Sequence, residues 1–269
     1  MKDETPKYHR FIDEVGDTAF YGPKKKLILG TPGVSACFGI GIIKFKDSPA
    51  EIRTAVERLQ GEVEADPFLN SIPSVAKRIQ SGGFYFHACK DTPDVRLGFL
   101  RYLRTLKCEA EVVMARKIPA LFEKRHHGHE DEFYADILSH IIKSRVKRPG
   151  TLVLNIAQRG SSTREKILNR ALGIAMERGR RKWGDDLQAR VVFNVQTPRT
   201  EPLLNVADYL CWSVQRVFEQ GDLRHYEYLK KQIRLVVDLY DSDKYQGFQN
   251  YYDQRNPLTS ENKISPPST

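Results

Sequence analysis

Apolar and polar positions change period repeatedly along the chain. Residues 8–14, Tyr-His-Arg-Phe-Ile-Asp-Glu, predict a strand that ends in acid, with Gly16 and Asp17 as the turn after it. Residues 27–45 are rich in Gly, Ile and Phe and predict one or two strands, 37–45 being the clearer half, so the chain opens as an antiparallel hairpin. Ser48-Pro49-Ala50-Glu51 is a helix start, with Ser as N-cap and Pro in the first turn, and the helix should run to about Glu64. Residues 66–81 are less regular. Phe84-Tyr85-Phe86-His87-Ala88 reads as a short strand, and Thr92-Pro93-Asp94 opens a helix ending near Leu106. A strand over 109–117 follows, then a loop or short helix through 118–131, a helix over 132–143 and a strand over 151–157. A helix over about 163–179, a strand over 189–195 and the most amphipathic helix, 203–220, come next; a last helix is predicted over about 223–237.

Strand and helix thus alternate after an initial hairpin, which predicts an α/β domain over residues 1–240 whose mixed, partly parallel sheet carries helices on both faces, with extra helices besides. Residues 241–269 turn polar and rich in Pro, Ser and Asn, which predicts a loosely held tail. No internal repeat is visible.

Composition narrows the function classes. The chain has 269 residues, of which 40% are hydrophobic and 29% charged, and no run approaches the ~20 apolar residues that span a bilayer. The first ten residues are of mixed charge and lack the apolar core of a signal peptide. Cys37, Cys89, Cys108 and Cys211 are widely spaced, with no Cys-x-x-Cys pair, as expected of reduced thiols in a cytoplasmic protein. The net charge of +9 favours a polyanion such as nucleic acid as partner.

Two acidic positions stand out. Asp13 and Glu14 end an apolar strand, where neighbouring side chains point to opposite faces. A carboxylate in such a place is costly unless paired or bound to metal, although simple solvation or capping of the Gly16 turn would also account for it. Asp208 lies in the first turn of the 203–220 helix, at the border of a stripe formed by Val206, Ala207, Leu210, Cys211, Val214, Val217 and Phe218. It either complements the helix dipole or belongs to a site. Carboxylates converging from such distant positions can hold Mg²⁺ or Mn²⁺ for phosphodiester chemistry.

Three segments carry a resemblance. Phe11-Ile12-Asp13-Glu14-Val15-Gly16-Asp17 resembles the opening Asp-Glu-Ser-Gly motif of the prokaryotic family known as domain of unknown function 3800. Phe86-His87-Ala88 resembles its mid-chain segment with a His, and Asn205-Val206-Ala207-Asp208-Tyr209-Leu210, together with Trp212, its closing Leu-Gln-x-Ala-Asp motif. The stretch from Arg216 to Tyr226 fits the family's segment after that motif, so the resemblance covers residues 8–235. It implies a ribonuclease H-like fold and an inferred nuclease activity. On that basis Asp13, Glu14 and Asp208 would hold metal, and His87 would be an auxiliary ligand or proton carrier. The sequence departs from the family's pattern in Val15 for Ser and Asn205 for Gln. Asn155 also stands where a fold relative could place a further acid, which Asp91 or Glu57 would have to supply.

Basic runs lie at Lys24–Lys26, Lys143–Arg148 and Arg178–Lys182, the last followed by Trp183. Arg180, Arg181 and Lys182 are candidates for phosphate contact if that run reaches the acidic site, with Trp183 able to stack on a base; otherwise they form a solvated face. Arg159 and Arg164, at a helix start with three hydroxyl side chains between them, could cradle a phosphate or merely flank a Ser/Thr cap. His126-His127-Gly128-His129 lacks zinc-finger spacing and reads as a solvated loop; in the zincin-like His129-Glu130, Phe133 replaces the second His. P-loop and Gly-x-Ser-x-Gly signatures are absent. The leading expectation is a divalent-metal-dependent nuclease. Its rivals are a catalytically inactive nucleic-acid- or protein-binding module of the same fold, and a subunit that acts only with a protein partner or a second copy.

Overall fold

In a computed structural model, which describes residues 6–158, 165–184, 187, 189–241 and 249–265, the predicted opening hairpin forms. β1 (Lys7–Gly16) pairs antiparallel with β2 (Cys37–Phe45), placing Asp13 opposite Gly41, and β2 pairs antiparallel with β3 (Cys108–Arg116). On the other side of β1, β4 (Gly150–Ala157) and β5 (Ala189–Gln196) run parallel to it. β6 (Ile233–Leu239) lies parallel to β3 and β7 (Tyr251–Tyr252) antiparallel to β6, which gives a seven-stranded mixed sheet in the order β5-β4-β1-β2-β3-β6-β7.

The helices follow in chain order as α1 (Pro49–Ala65), α2 (Pro67–Asn70), α3 (Pro73–Gln80), α4 (Pro93–Leu103), α5 (Pro119–His126), α6 (Glu130–Ile142), α7 (Glu165–Trp183), α8 (Leu203–Gln220) and α9 (Arg224–Leu229). The first five all begin on proline, whose fixed φ suits a first turn and whose missing N–H is not needed there. α1–α4, α8 and α9 pack on one face of the sheet and α5–α7 on the other, each face burying its own apolar cluster. None of the helices described is long and apolar enough to cross a membrane.

β2 shows how the period-2 pattern builds both cores. Phe38, Ile40 and Ile42 face the α5–α7 side, while Cys37, Gly39, Gly41 and Ile43 alternate toward α8. Gly41 leaves room for α8: a Cβ there would collide with Cys211 Sγ. This close approach sets the start of α8 against the end of β1.

Three predicted features form differently. Residues 84–88 join no strand, and Ala88 already belongs to a turn. Side chains satisfy their backbone donors instead: Glu64 accepts from Phe84 N (2.5 Å), Asn205 from Phe86 N (2.7 Å), Asp91 from His87 N (2.9 Å) and Asp208 from Ala88 N (2.6 Å). The helix expected to about residue 237 stops at Leu229, and residues 233–239 form β6; β-branched Ile233, Val236 and Val237 favour the pleated ladder with β3. The polar C-terminal stretch also returns to the fold over residues 249–265, where Tyr252 and Leu258 are buried in the α8-side core. Polarity there reflects short connections and buried amides rather than a loose tail: Asn250 Nδ2 donates to Asp238 O at 3.0 Å.

Candidate active site

β1 and β4 are neighbours, yet the chain leaves β1 toward β2 and β3 and leaves β4 toward β5. Such a switch point opens a crevice at the carboxyl ends of the strands. An open cleft of about 460 Å³ lies there, lined by residues 13–17 of β1 and its turn, by Ala157 and Gln158 at the end of β4, by His87 and Cys89, and by Asp208, Trp212 and Gln215 of α8. The α8 residues are three or four apart, as one face of a helix requires.

Asp13 and Asp208 are brought together at this cleft, and among the described residues no Lys or Arg forms an ion pair with either. Desolvation raises the pKa of Asp13 well above the usual carboxylate range, and the neighbouring charge of Asp208 raises it further. Asp208 is pushed up to about 7, chiefly by desolvation; the Ala88 amide opposes the shift and Asp91 adds to it. Both carboxyls therefore gain from a proton or an external cation. His87 Nδ1 lies 3.6 Å from Asp208 Oδ2, is buried, and has no hydrogen-bond partner. Desolvation, then the charges of Lys90 and Arg78, lower the His87 pKa to about 4, so the imidazole is neutral at pH 7 and able to accept a proton or ligate.

Glu14 points to the opposite face from Asp13, as alternation requires, and accepts a hydrogen bond from Tyr134 Oη of α6 at 2.6 Å while still lining the cleft rim. Asp17 is committed to the fold. Burial pushes its pKa upward, but Lys117 Nζ at 2.7 Å and the Ser35 hydroxyl and amide, each at 2.7 Å, bring it below the usual range. Neither of the two acids considered as further ligands lines the cleft. Asp91 is held by Arg78 at 2.6 Å and by Tyr209 Oη at 2.5 Å, and Glu57 is exposed on α1. Asn155 is buried and structural: it donates to Arg10 O (3.1 Å) and accepts from Asn194 (3.0 Å).

Among the described residues no cluster of three or more His, Cys, Asp or Glu side chains is arranged to hold a metal ion. The donor set still suits Mg²⁺ or Mn²⁺. Mg²⁺ is commonly held through one or two carboxylates, keeping waters and substrate phosphates for its other positions. Asp13 and Asp208 provide that pair of hard oxygen donors, and among the described residues no Lys or Arg pairs with either.

The basic candidates at the end of α7 do not reach this cleft. Arg180, Arg181 and Lys182 close α7, and the strand after it starts opposite Gly150, at the far end of β4 from Ala157, roughly 20 Å along the strand. Arg181 pairs with Glu177, and Lys182 Nζ lies 5.2 Å from the ring of Trp183, the residue expected to stack on a base. Arg159 and Arg164 fall outside the described residues. Of the His cluster, His127 and His129 are exposed in the turn between α5 and α6, His127 bonding Glu132 at 2.8 Å, whereas His126 ends α5, is buried and meets Asp136 at 3.2 Å. Trp212, part of the closing motif of the resemblance, lines the cleft, as do Gln158 and Gln215, which the sequence did not mark. The spacing of Gln215 from Asp208 and Trp212 is its only signal. Cys37, Cys108 and Cys211 are buried, and Cys89 is exposed.

No protein-family model matches the chain, and no curated protein is similar to it.

Proposed function

We propose that this protein is a divalent-metal-dependent nuclease or phosphodiesterase of ribonuclease H-like fold, acting on nucleic acid at the Asp13–Asp208 cleft. The observation that carries the proposal is the meeting of two desolvated carboxylates, from the first strand and a late helix, with no ion pair from a Lys or Arg to either among the described residues. The strand order β3-β2-β1-β4-β5 within the sheet supports the fold reading, and the resemblance to the domain of unknown function 3800 family points the same way.

Asp13 and Asp208 would hold Mg²⁺ or Mn²⁺, with Glu14 at the rim. When bound, the cation offsets the charge of the phosphodiester and acts as a Lewis acid toward it. Asp208, fixed by the Ala88 amide, is oriented before any ligand arrives. His87, neutral and with a free Nδ1, is placed to take up a proton. Gln158 and Gln215 offer amide groups to a bound strand.

Incubating labelled DNA and RNA oligonucleotides with the protein and Mg²⁺ or Mn²⁺ tests this. Cleavage that falls at least about 100-fold in both Asp13→Asn and Asp208→Asn is the expected result. Cleavage that persists in those variants, or none by the wild type, would refute it. One observation favours the second reading, an inactive binding module: beside Asp13 on β4 stand Ala157 and the structural Asn155, so that strand supplies no acid. Metal-independent oligonucleotide binding without cleavage would select it.

A further inference from the structure

A second cavity, of about 290 Å³, is lined by Tyr85, Gln158, Thr197, Pro198 and Arg199. Gln158 also lines the acidic cleft, so the two share a wall. Arg199 is exposed, and no carboxylate pairs with it among the described residues. Its guanidinium carbon lies 5.8 Å from the Tyr85 ring centroid. Arg78 lies at the same distance from that ring, but it is buried and committed to Asp91 and to Tyr85 O (2.8 Å).

The two cavity walls are tied to one helix. Asn205, fully buried, donates through Nδ2 to Pro198 O (2.7 Å) and accepts at Oδ1 from Phe86 N (2.7 Å). It therefore fixes the turn carrying Arg199 against the segment carrying Tyr85. Three residues on, Asp208 fixes Ala88 in the same way and faces the cleft. Mutual hydrogen bonds between Thr197 and Thr200 stiffen the Arg199 turn. An aromatic ring, an uncommitted guanidinium and a preorganised wall beside a carboxylate pair match one nucleotide unit next to a phosphodiester. Stacking on a tyrosine requires a base that is not paired.

We infer that Tyr85 and Arg199 form a subsite for an unpaired nucleotide of a single-stranded nucleic acid, base on Tyr85 and phosphate on Arg199, adjoining the Asp13–Asp208 cleft; this names the substrate class for the nuclease proposed above and rests on that reading. Asn205 is its positioning residue.

Fluorescence anisotropy in EDTA tests binding apart from chemistry, using a short fluorescein-labelled single-stranded oligonucleotide and its duplex. The single strand binds more tightly than the duplex. Tyr85→Ala weakens single-strand binding about tenfold while Tyr85→Phe stays within about twofold. Arg199→Ala weakens it by a similar factor and lowers the slope of log affinity against log salt by about one. Wild-type affinity in both Tyr85→Ala and Arg199→Ala, equal affinity for the duplex, or no binding of either oligonucleotide overturns the subsite. The two failures separate cleanly. Cleavage abolished by Asp13→Asn, with binding untouched in the Tyr85 and Arg199 variants, removes the subsite and leaves the nuclease. Binding that those variants weaken, with no cleavage by the wild type, removes the nuclease and keeps the subsite.

Discussion

Two desolvated acidic sites lie on opposite faces of the same sheet. On the α6 side, Asp136 is met by Arg178, by Arg125 at 3.1 Å, by His126 at 3.2 Å and by Tyr240 Oη at 2.5 Å. Burial alone would raise its pKa, but the hydrogen bonds from His126 and Tyr240 and the charge of Arg178 hold it well below the usual range. On the α8 side, Asp13 and Asp208 share a cleft with a neutral imidazole, and both are driven upward. The difference separates a carboxylate built into the fold from a pair that the fold leaves unbalanced. The first is fixed by cations of its own; the second pairs with no Lys or Arg among the described residues and gains from a proton or from a cation from outside.

The sharpest break in that comparison is stability on deletion. Asp136→Ala strands Arg178 and His126 and should cost about 3–5 kcal/mol in urea unfolding. Asp13→Asn, measured in EDTA, should cost nothing or stabilise. Equal losses in the two variants would erase the distinction.

pH sharpens it next. Between the ordinary carboxylate pKa and about 7, folded Asp208 holds a proton that the unfolded chain has lost. Stability in EDTA therefore falls as pH rises from 5 to 8, by roughly 2 kcal/mol for that group. Asp208→Asn should flatten this slope. Asp136 works with the opposite sign: its contribution is complete above about pH 4 and is lost only as pH falls below that. Thermal melts across the two pH windows read both effects, and an unchanged slope in Asp208→Asn would assign it to other groups.

Smaller effects probe how the pair is assembled. Gly41→Ala drives a methyl group into Cys211 and should destabilise by about 1–2 kcal/mol, with a loss of metal affinity as α8 is displaced from β1. Metal affinity unchanged beside that loss would show that the approach of α8 does not set the site. Tyr134→Phe removes one hydrogen bond to Glu14 and should cost about 1 kcal/mol at most in urea unfolding.

Most of the sheet was legible because its strands are short apolar runs bounded by turn residues and because the helices at Pro49 and Pro93 open on proline. The limits of α8 come out at residues 203 and 220, where its apolar stripe begins and ends. What escaped did so for physical reasons. Residues 84–88 have strand composition, but their donors go to Glu64, Asn205, Asp91 and Asp208, which tertiary structure alone brings near. Ile233 to Leu239 continues an apolar run past a short helix, and only pairing with β3 decides its state. Asp13 and Asp208 could be singled out individually, since each is an acid at an apolar border. The hook formed by Asn205 could not, because its two partners belong to segments that only the folded chain brings to one place. The basic run pointed to the end of α7, yet that end lies at the opposite end of the strands from the cleft, since charge along a sequence carries no information about which end of the sheet it reaches.

The central claim, that Asp13 and Asp208 together hold a divalent cation, is tested most directly by calorimetric titration of Mn²⁺ into the wild type, Asp13→Asn and Asp208→Asn. Binding by the wild type that disappears in both variants is the predicted result. No binding by the wild type, or binding that survives in either variant, would contradict it.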